Sequence, residues 1–186
     1  MKDFFKKIKS LKRGPAIMKE KDIGAILANV DIDRNSVVLD AGSGTGLMTI
    51  YLAKFVKKVY SYDSNKEFLT ITKENSKYLN LKNIVFKNKD ITKEIEEKDL
   101  DFINLDMKDP QKALKNAKKA LKEQGYLSAY LPNITQVIEF CNSLNGFRLI
   151  KVFEIIERPW IINNQIARPE NMILGHTAFI VILQKA

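Results

Sequence analysis

Cysteine and histidine are almost absent from this chain of 186 residues, with Cys141 and His176 the sole example of each. A single cysteine excludes an intrachain disulfide, and the two residues together are too few for a zinc cage of Cys and His ligands, so no metal site is expected. Long apolar runs are missing too. No stretch reaches the length that spans a bilayer, and the opening MKDFFKKIKSLKRG is basic and amphipathic without the apolar centre of a secretory signal. A chain of the reducing cytoplasm is therefore expected. Acidic residues are the minority charge, 22 against 31 Lys and Arg, leaving a formal net charge of +9. That balance suits an anionic partner such as nucleic acid, although a solvated lysine surface has the same composition.

What is present is enough for one buried sheet. The 45% hydrophobic content supports a single compact domain over residues 1–186 and is too little for two ordinary cores. Residues 1–14 carry Lys2, Lys6, Lys7, Lys9, Lys12 and Arg13 interleaved with Phe4, Phe5, Ile8 and Leu11, which predicts a basic arm or short helix with one apolar stripe. It suits contact with phosphates or packing of the stripe on the domain. After the Gly14-Pro15 break, Lys19 to Val30 has helical spacing, and Asp31 to Asn35 makes a polar turn.

Strand and helix patterns then alternate. Ser36 to Asp40 is a β-branched run, AGSGTG at Ala41 to Gly46 interrupts it, and Leu47 to Val56 reads as a buried helix. Lys58 to Asp63 is a strand, Ser64 with Glu67 has the spacing of a capping box for a helix towards Tyr78, and Asn83 to Lys87 is the next strand. Asp101 to Leu105 is a further strand, followed by a helix from Asp109-Pro110 to near Gly125 and a strand at Tyr126 to Leu131. Asn133 with Gln136 caps a helix to Leu144, and Phe147 to Ile156 and Thr177 to Leu183 complete the strands. Between those two, Glu157 to Gly175 carries no helical pattern and reads as a long loop. The alternation predicts an α/β doubly wound sheet.

In such a sheet the ligand crevice lies beyond the carboxyl ends of the strands. Asp40 ends the first strand and leads into Gly42, Ser43, Gly44, Thr45 and Gly46, where missing side chains open the backbone beside a helix N-terminus to a carboxylate. Asp63, followed by Ser64, ends the second strand, where a carboxylate suits two ribose hydroxyls. Asp90, followed by Ile91, comes after the third, where it suits the amino group of adenine. Each aspartate alone reads equally as a cap or turn residue. Their joint placement with a G-x-G-x-G loop resembles the class I methyltransferases that use S-adenosylmethionine.

A narrower resemblance rests on LDMKDP at Leu105 to Pro110, YLPNITQVIEF at Tyr130 to Phe140 and RPENMILGHTAF at Arg168 to Phe179, with KRG at Lys12 to Gly14 and KD at Lys21-Asp22. These segments are similar to the tRNA adenine-N1 methyltransferase family. The resemblance implies a Rossmann-like, seven-stranded sheet with an antiparallel last strand, S-adenosylmethionine as cofactor, S-adenosylhomocysteine as product, tRNA as partner and a homotetrameric assembly. It implies Asp106 as the catalytic residue, Tyr130 with Pro132 at the adenine pocket, and cofactor contacts from Asp40, Gly42, Ser43, Gly44, Thr45, Gly46, Asp63, Ser64, Asp90 and Ile91. His176 reads as structural, ordering the loop before the final strand.

The chain departs from that family in three places. Members begin with a small β-rich domain, whereas a basic segment of eleven residues precedes KRG here. Ala16 and Lys19 stand where the family has a glutamine and a tyrosine, and Lys108 stands where it has proline. Two other readings fit part of the pattern: a small-molecule methyltransferase of the precorrin type, which the opening PAIMKEKDIGAILANV also resembles, and a non-catalytic tRNA-binding subunit.

Overall fold

The computed structural model describes residues 4–14 and 18–186. Lys2, Pro15 and Ala16 lie outside the described residues. Two short helices, α1 (Phe4–Lys9) and α2 (Glu20–Leu27), precede the sheet. The α/β alternation follows as β1 (Val37–Ala41), α3 (Leu47–Phe55), β2 (Lys58–Tyr62), α4 (Lys66–Tyr78), β3 (Ile84–Lys87) and β4 (Leu100–Leu105). A 3-10 turn (Pro110–Ala113) leads into α5 (Leu114–Ala120), β5 (Leu121–Leu131), α6 (Ile134–Asn142) and β6 (Phe147–Phe153). The chain closes with β7 (Trp160–Asn163), β8 (Ile166–Pro169) and β9 (Phe179–Lys185).

Seven strands form one sheet in the order β3-β2-β1-β4-β5-β9-β6. The first five are parallel, and β9 runs antiparallel to both neighbours, β5 and β6. This is the expected doubly wound sheet with its antiparallel last strand, which sits inside the sheet rather than at its edge. The central strands are buried on both faces because helices cover both sides. One face carries Leu39, Ile103, Leu105 and Leu127 against α5 and α6. The other carries Val38, Val59, Phe102 and Ile182 against α2 and α3.

Helix α1 lays its apolar stripe on this second side, with Ile8 and Leu11 buried beside Ile50. Beyond it, Asn75 of α4 accepts from the Lys12 backbone N–H at 3.1 Å and donates to the Lys12 carbonyl at 3.0 Å and the Thr45 carbonyl at 2.8 Å. The basic segment is thereby tied to the glycine loop.

Three expectations need correction. Helix α4 is capped by Asn65, whose side chain accepts from Glu67 N at 2.8 Å, and not by Ser64; the cause is Asp63, whose carboxylate takes Asn65 N and turns the chain one residue later. The helix expected to reach Gly125 ends at Ala120, because Leu121 enters the core and β5 starts there, bulging before it regains register at Tyr126. The expected loop after Glu157 contains a two-stranded antiparallel arm, with Trp160 opposite Pro169 and Asn163 opposite Ile166. Its tight turn at Asn164, with φ of 41°, is one of the side-chain types that tolerate the left-handed region.

Candidate active site

A crevice opens at the carboxyl ends of β1, β2 and β4, in two lobes that meet at Gly42. One lobe of about 270 Å³ is lined by Gly42, Asp63, Ser64, Asp90, Ile91 and Met107. The other, of about 330 Å³, is lined by Met18, Asp40, Gly42 to Thr45 and Asp106. Four aspartates at or just beyond strand ends thus border one cleft, as the sequence pattern predicts, together with the glycine loop.

Each carboxylate has a different environment. Asp40 is fully buried and points into the sheet, where Oδ2 accepts from Thr49 Oγ1 at 2.6 Å and Oδ1 from Asn104 Nδ2 at 2.8 Å. It belongs to a row across four adjacent strands: Ser61, Asp40, Asn104 and Ser128 are register partners in turn, all at 0% exposure. The row is closed by Ser128 donating to Asn104 Oδ1 at 2.7 Å. Burial raises the Asp40 pKa against the opposing effect of its two donors. Asp40 therefore acts on the crevice from underneath, by holding the ends of β1 and β4 together.

Asp63 Oδ2 accepts from Gly44 N at 2.8 Å, fixing the glycine loop to the end of β2. From behind, Thr72 of α4 donates to the Gly44 carbonyl at 2.7 Å. Asp90 Oδ1 accepts from Thr92 N at 2.9 Å and Thr92 Oγ1 at 2.7 Å, and these bonds lower its pKa. Asp106 contrasts with the other three. Its backbone N–H donates to Ala41 O at 2.9 Å, but among the described residues its carboxyl has no hydrogen-bond partner. Burial, and then the charges of Asp40 and Asp63, push it up to about 7.

The glycine loop fits a bound carboxylate-bearing ligand. Gly42, Gly44 and Gly46 all have positive φ, leaving the backbone bare at the N-terminus of α3. Ser43 Oγ is buried in the same lobe without a hydrogen-bond partner, a cost of about 1–3 kcal/mol unless a ligand group satisfies it.

A methyltransferase-domain family model matches residues 32–158. The tRNA (adenine(57)-N(1)/adenine(58)-N(1))-methyltransferase TrmI of Methanocaldococcus jannaschii is 34% identical over 207 residues, covering 94% of this chain and 73% of the relative. The tRNA (adenine(58)-N(1))-methyltransferase TrmI of Thermus thermophilus is 35% identical over 182 residues, covering 94% and 71%.

The chain belongs to the tRNA (adenine-N1)-methyltransferase family.

It is thus a member of an S-adenosylmethionine-dependent enzyme family. The crystal structure of the Aquifex aeolicus member TrmI superposes with a TM-score of 0.89 at 27% identity, covering 95% of this chain and 72% of that one. The precorrin alternative is more distant: the cobalt-precorrin-6B C(15)-methyltransferase of Methanocaldococcus jannaschii matches at 33% identity over only 39% of the chain.

In this adenine-N1 methyltransferase-family chain, the segments that resemble the family away from the glycine loop gather at one end of β5. Tyr130 is half-buried at that end, and the charge of Asp106 reaches it. Its hydroxyl donates to Asp22 Oδ2 at 2.9 Å. Pro132 follows, exposed, and its carbonyl accepts from His176 Nε2 at 2.9 Å while Nδ1 of the same ring meets Glu154 Oε2 at 2.7 Å. A ring that satisfies both partners at once is the imidazolium, and the Glu154 bond followed by the Pro132 bond raises its pKa. His176 ties the roots of the β7–β8 arm to the segment after Tyr130, the ordering role that the sequence suggests.

Sequence reasoning did not single out Asp22, Thr49, Thr72, Asn75 or Asn104 as site residues. A signal existed for two of them. Thr72 and Asn75 lie on the inward face of α4, where an amphipathic pattern calls for apolar residues. Asn104 looked like an ordinary member of a buried strand.

Proposed function

We propose that this family member transfers the methyl group of S-adenosylmethionine to N1 of an adenine in the T-loop of tRNA. The carrying observation is Asp106, a half-buried carboxyl without a hydrogen-bond partner at the rim of the crevice and within electrostatic reach of Tyr130. The relatives' action on tRNA adenines at positions 57 and 58 supports the choice of substrate.

S-adenosylmethionine, when bound, supplies a methyl group on a positively charged sulfur. The Ser43 hydroxyl and the N-terminus of α3 would hold its carboxylate, with Gly42, Gly44 and Gly46 leaving room for the approach and Thr45 shaping the same lobe. Asp63 accepts from the ribose hydroxyls, and Asp90 and Ile91 with Ser64 take the adenine. Asp40 braces this surface from below. Adenine N1 is a neutral nucleophile, so no side chain needs to remove a proton before transfer. As N1 acquires positive charge, ionised Asp106 accepts a hydrogen bond from the target's amino group and stabilises that charge in a site with few competing donors. Because N1 lies on the Watson–Crick edge, the base must leave its stack to arrive there, and Tyr130 with Pro132 receives it. The net charge of +9 favours the encounter with tRNA.

The same reading includes assembly of identical chains. A two-stranded ribbon is marginal in water by itself, yet the β7–β8 arm and its flanks expose Ile162 at 81% and Met172 at 87%, with Trp160 and Leu174 beside them. Arg158 and Arg168 lie there with Glu157 and Glu170, so the patch carries charges of both signs for a second copy to pair with. Sedimentation velocity is expected to show a dimer or larger species at micromolar concentration, and a monomer after Ile162→Lys with Met172→Lys. A monomeric unmodified chain overturns this part.

The activity is tested by incubating the purified protein with labelled S-adenosylmethionine and unmodified tRNA, then digesting the RNA. Label in 1-methyladenosine of the T-loop is expected. Cofactor binding with label in no tRNA nucleoside overturns the substrate assignment.

A further inference from the structure

The mechanism above uses Tyr130 but leaves unexplained a buried ion pair behind it. Asp22, on α2, is fully buried, and the adjacent Lys21 side chain is only 11% exposed. Their hydrogen bonds form a closed set. Lys21 Nζ donates to Asp22 Oδ1, to the Ile155 carbonyl and to Thr177 Oγ1, each at 2.7 Å. Thr177 in turn donates to Asp22 Oδ2 at 2.8 Å, and Tyr130 donates to the same oxygen at 2.9 Å. All three ammonium protons are used, and Asp22 receives three donors. Burying two charges costs several kcal/mol before their attraction is counted, so such a pair is a weak way to gain stability. It is a strong way to fix geometry, because hydrogen bonds to a buried charge are short and directional.

We infer that Asp22, held by Lys21 and Thr177, is the positioning residue of the substrate pocket: it locks the Tyr130 ring as the wall against which the target base is placed. This rests on the tRNA reading for the identity of the base. The phenolic proton is committed to Asp22, so Tyr130 meets the base with its ring and not through a donated hydrogen bond. The pair also joins three parts of the chain that share no local sequence: α2, the end of β5, and both roots of the arm, at Ile155 and Thr177. The charge of Asp106 reaches Tyr130, so a fixed ring also fixes the wall relative to the carboxylate that receives the adenine amino group.

The test uses Asp22→Asn, Tyr130→Phe and the double variant in the full-length protein. An amide at position 22 keeps the shape but loses the charge, and whichever edge carries the NH2 group can no longer accept. The expected result is a fall in kcat/KM for tRNA of roughly tenfold in each single variant, the size associated with losing a hydrogen bond to a charged group. The double variant is expected to lose no more than either single one, because Asp22 acts through the Tyr130 hydroxyl. Affinity for S-adenosylhomocysteine stays within about twofold, since the cofactor lobes are lined by other residues. Multiplying losses, or an equal loss of S-adenosylhomocysteine affinity, overturn the inference in favour of a purely structural pair. A second measurement does not depend on RNA. With ¹³C-labelled tyrosine, one of six ring signals is assigned to Tyr130 by its disappearance in Tyr130→Phe. That signal is expected to move in Asp22→Asn and not in Glu74→Gln, a distant surface change. If the unmodified protein labels no tRNA, the substrate assignment falls while the ring signal still decides the Asp22 link, and an unmoved signal overturns it.

Discussion

Asp106→Asn is expected to lower the rate of methyl transfer by roughly two to three orders of magnitude, the range seen when one preorganised electrostatic partner of a developing charge is removed. Affinity for S-adenosylhomocysteine, whose sulfur is uncharged, is expected to change by less than about threefold, because Asp106 borders the Ser43 lobe without bonding any loop group there and the adenosine lobe is lined by Asp63 and Asp90 instead. Undiminished turnover removes Asp106 from the mechanism. The same variant carries a second signature. The unfolded carboxyl titrates near 3.8 and the folded one at about 7, so between these values the folded chain keeps a proton that the unfolded chain has released. The contribution of Asp106 to folding stability without cofactor therefore falls as pH rises from about 4 to 7 and is most favourable below that window. In Asp106→Asn this slope is expected to flatten and the chain to become more stable at pH 8, read by thermal unfolding at several pH values. A carboxyl that destabilises the fold yet controls the rate is what separates a functional from a structural role.

Gly42→Ala is expected to abolish cofactor binding and to destabilise the chain by several kcal/mol, in the range of the largest single-residue effects. Gly42 has φ of 73°, and a Cβ there would lie 1.8 Å from the carbonyl oxygen of Asp106 and 2.7 Å from its carbon. Both obstacles are backbone, so relief requires separating the ends of β1 and β4. Those ends are held by the Asp106 N–H to Ala41 and by the Asp40–Asn104 bond. The substitution thus disturbs the loop and Asp106 together. Gly44→Ala is the control in the same loop: its Cβ would meet nothing nearer than 3.9 Å, so only the left-handed backbone, about 1 kcal/mol, opposes it. Calorimetric titration with S-adenosylhomocysteine and thermal unfolding distinguish the two, and equal behaviour of both variants refutes the close-approach explanation.

The elements most legible in the sequence are those set by near neighbours. The runs of Val37 to Ala41 and Leu100 to Leu105 lie next to turn residues, and both are strands within a residue of where the pattern puts them. Asn133 N does meet Gln136 Oε1, at 3.2 Å, at the start of α6. The misplaced boundaries had distant causes. Ser64 and Asn65 are both good caps, and the choice fell to Asn65 because Asp63 reaches across to the glycine loop. Leu121 could extend α5 on propensity alone, but the core between β4 and α5 takes its side chain. The arm at Trp160 to Pro169 has too few alternating residues for a period to stand out against a loop.

The sequence by itself determined the sheet, the glycine loop and the placing of Asp40, Asp63, Asp90 and Asp106 at one rim, because strand ends and tight turns follow from local pattern and backbone sterics. Which of those four carboxylates would be left without a protein donor was decided only by the tertiary structure. Thr49 and Asn104 absorb Asp40, Gly44 and Asn65 occupy Asp63, Thr92 engages Asp90, and Asp106 is left among negative neighbours without a donor. The reason is that a carboxyl's ionisation depends on burial and on the donors around it. For Asp40 one of those donors comes from 64 residues away, a distance that no local pattern spans.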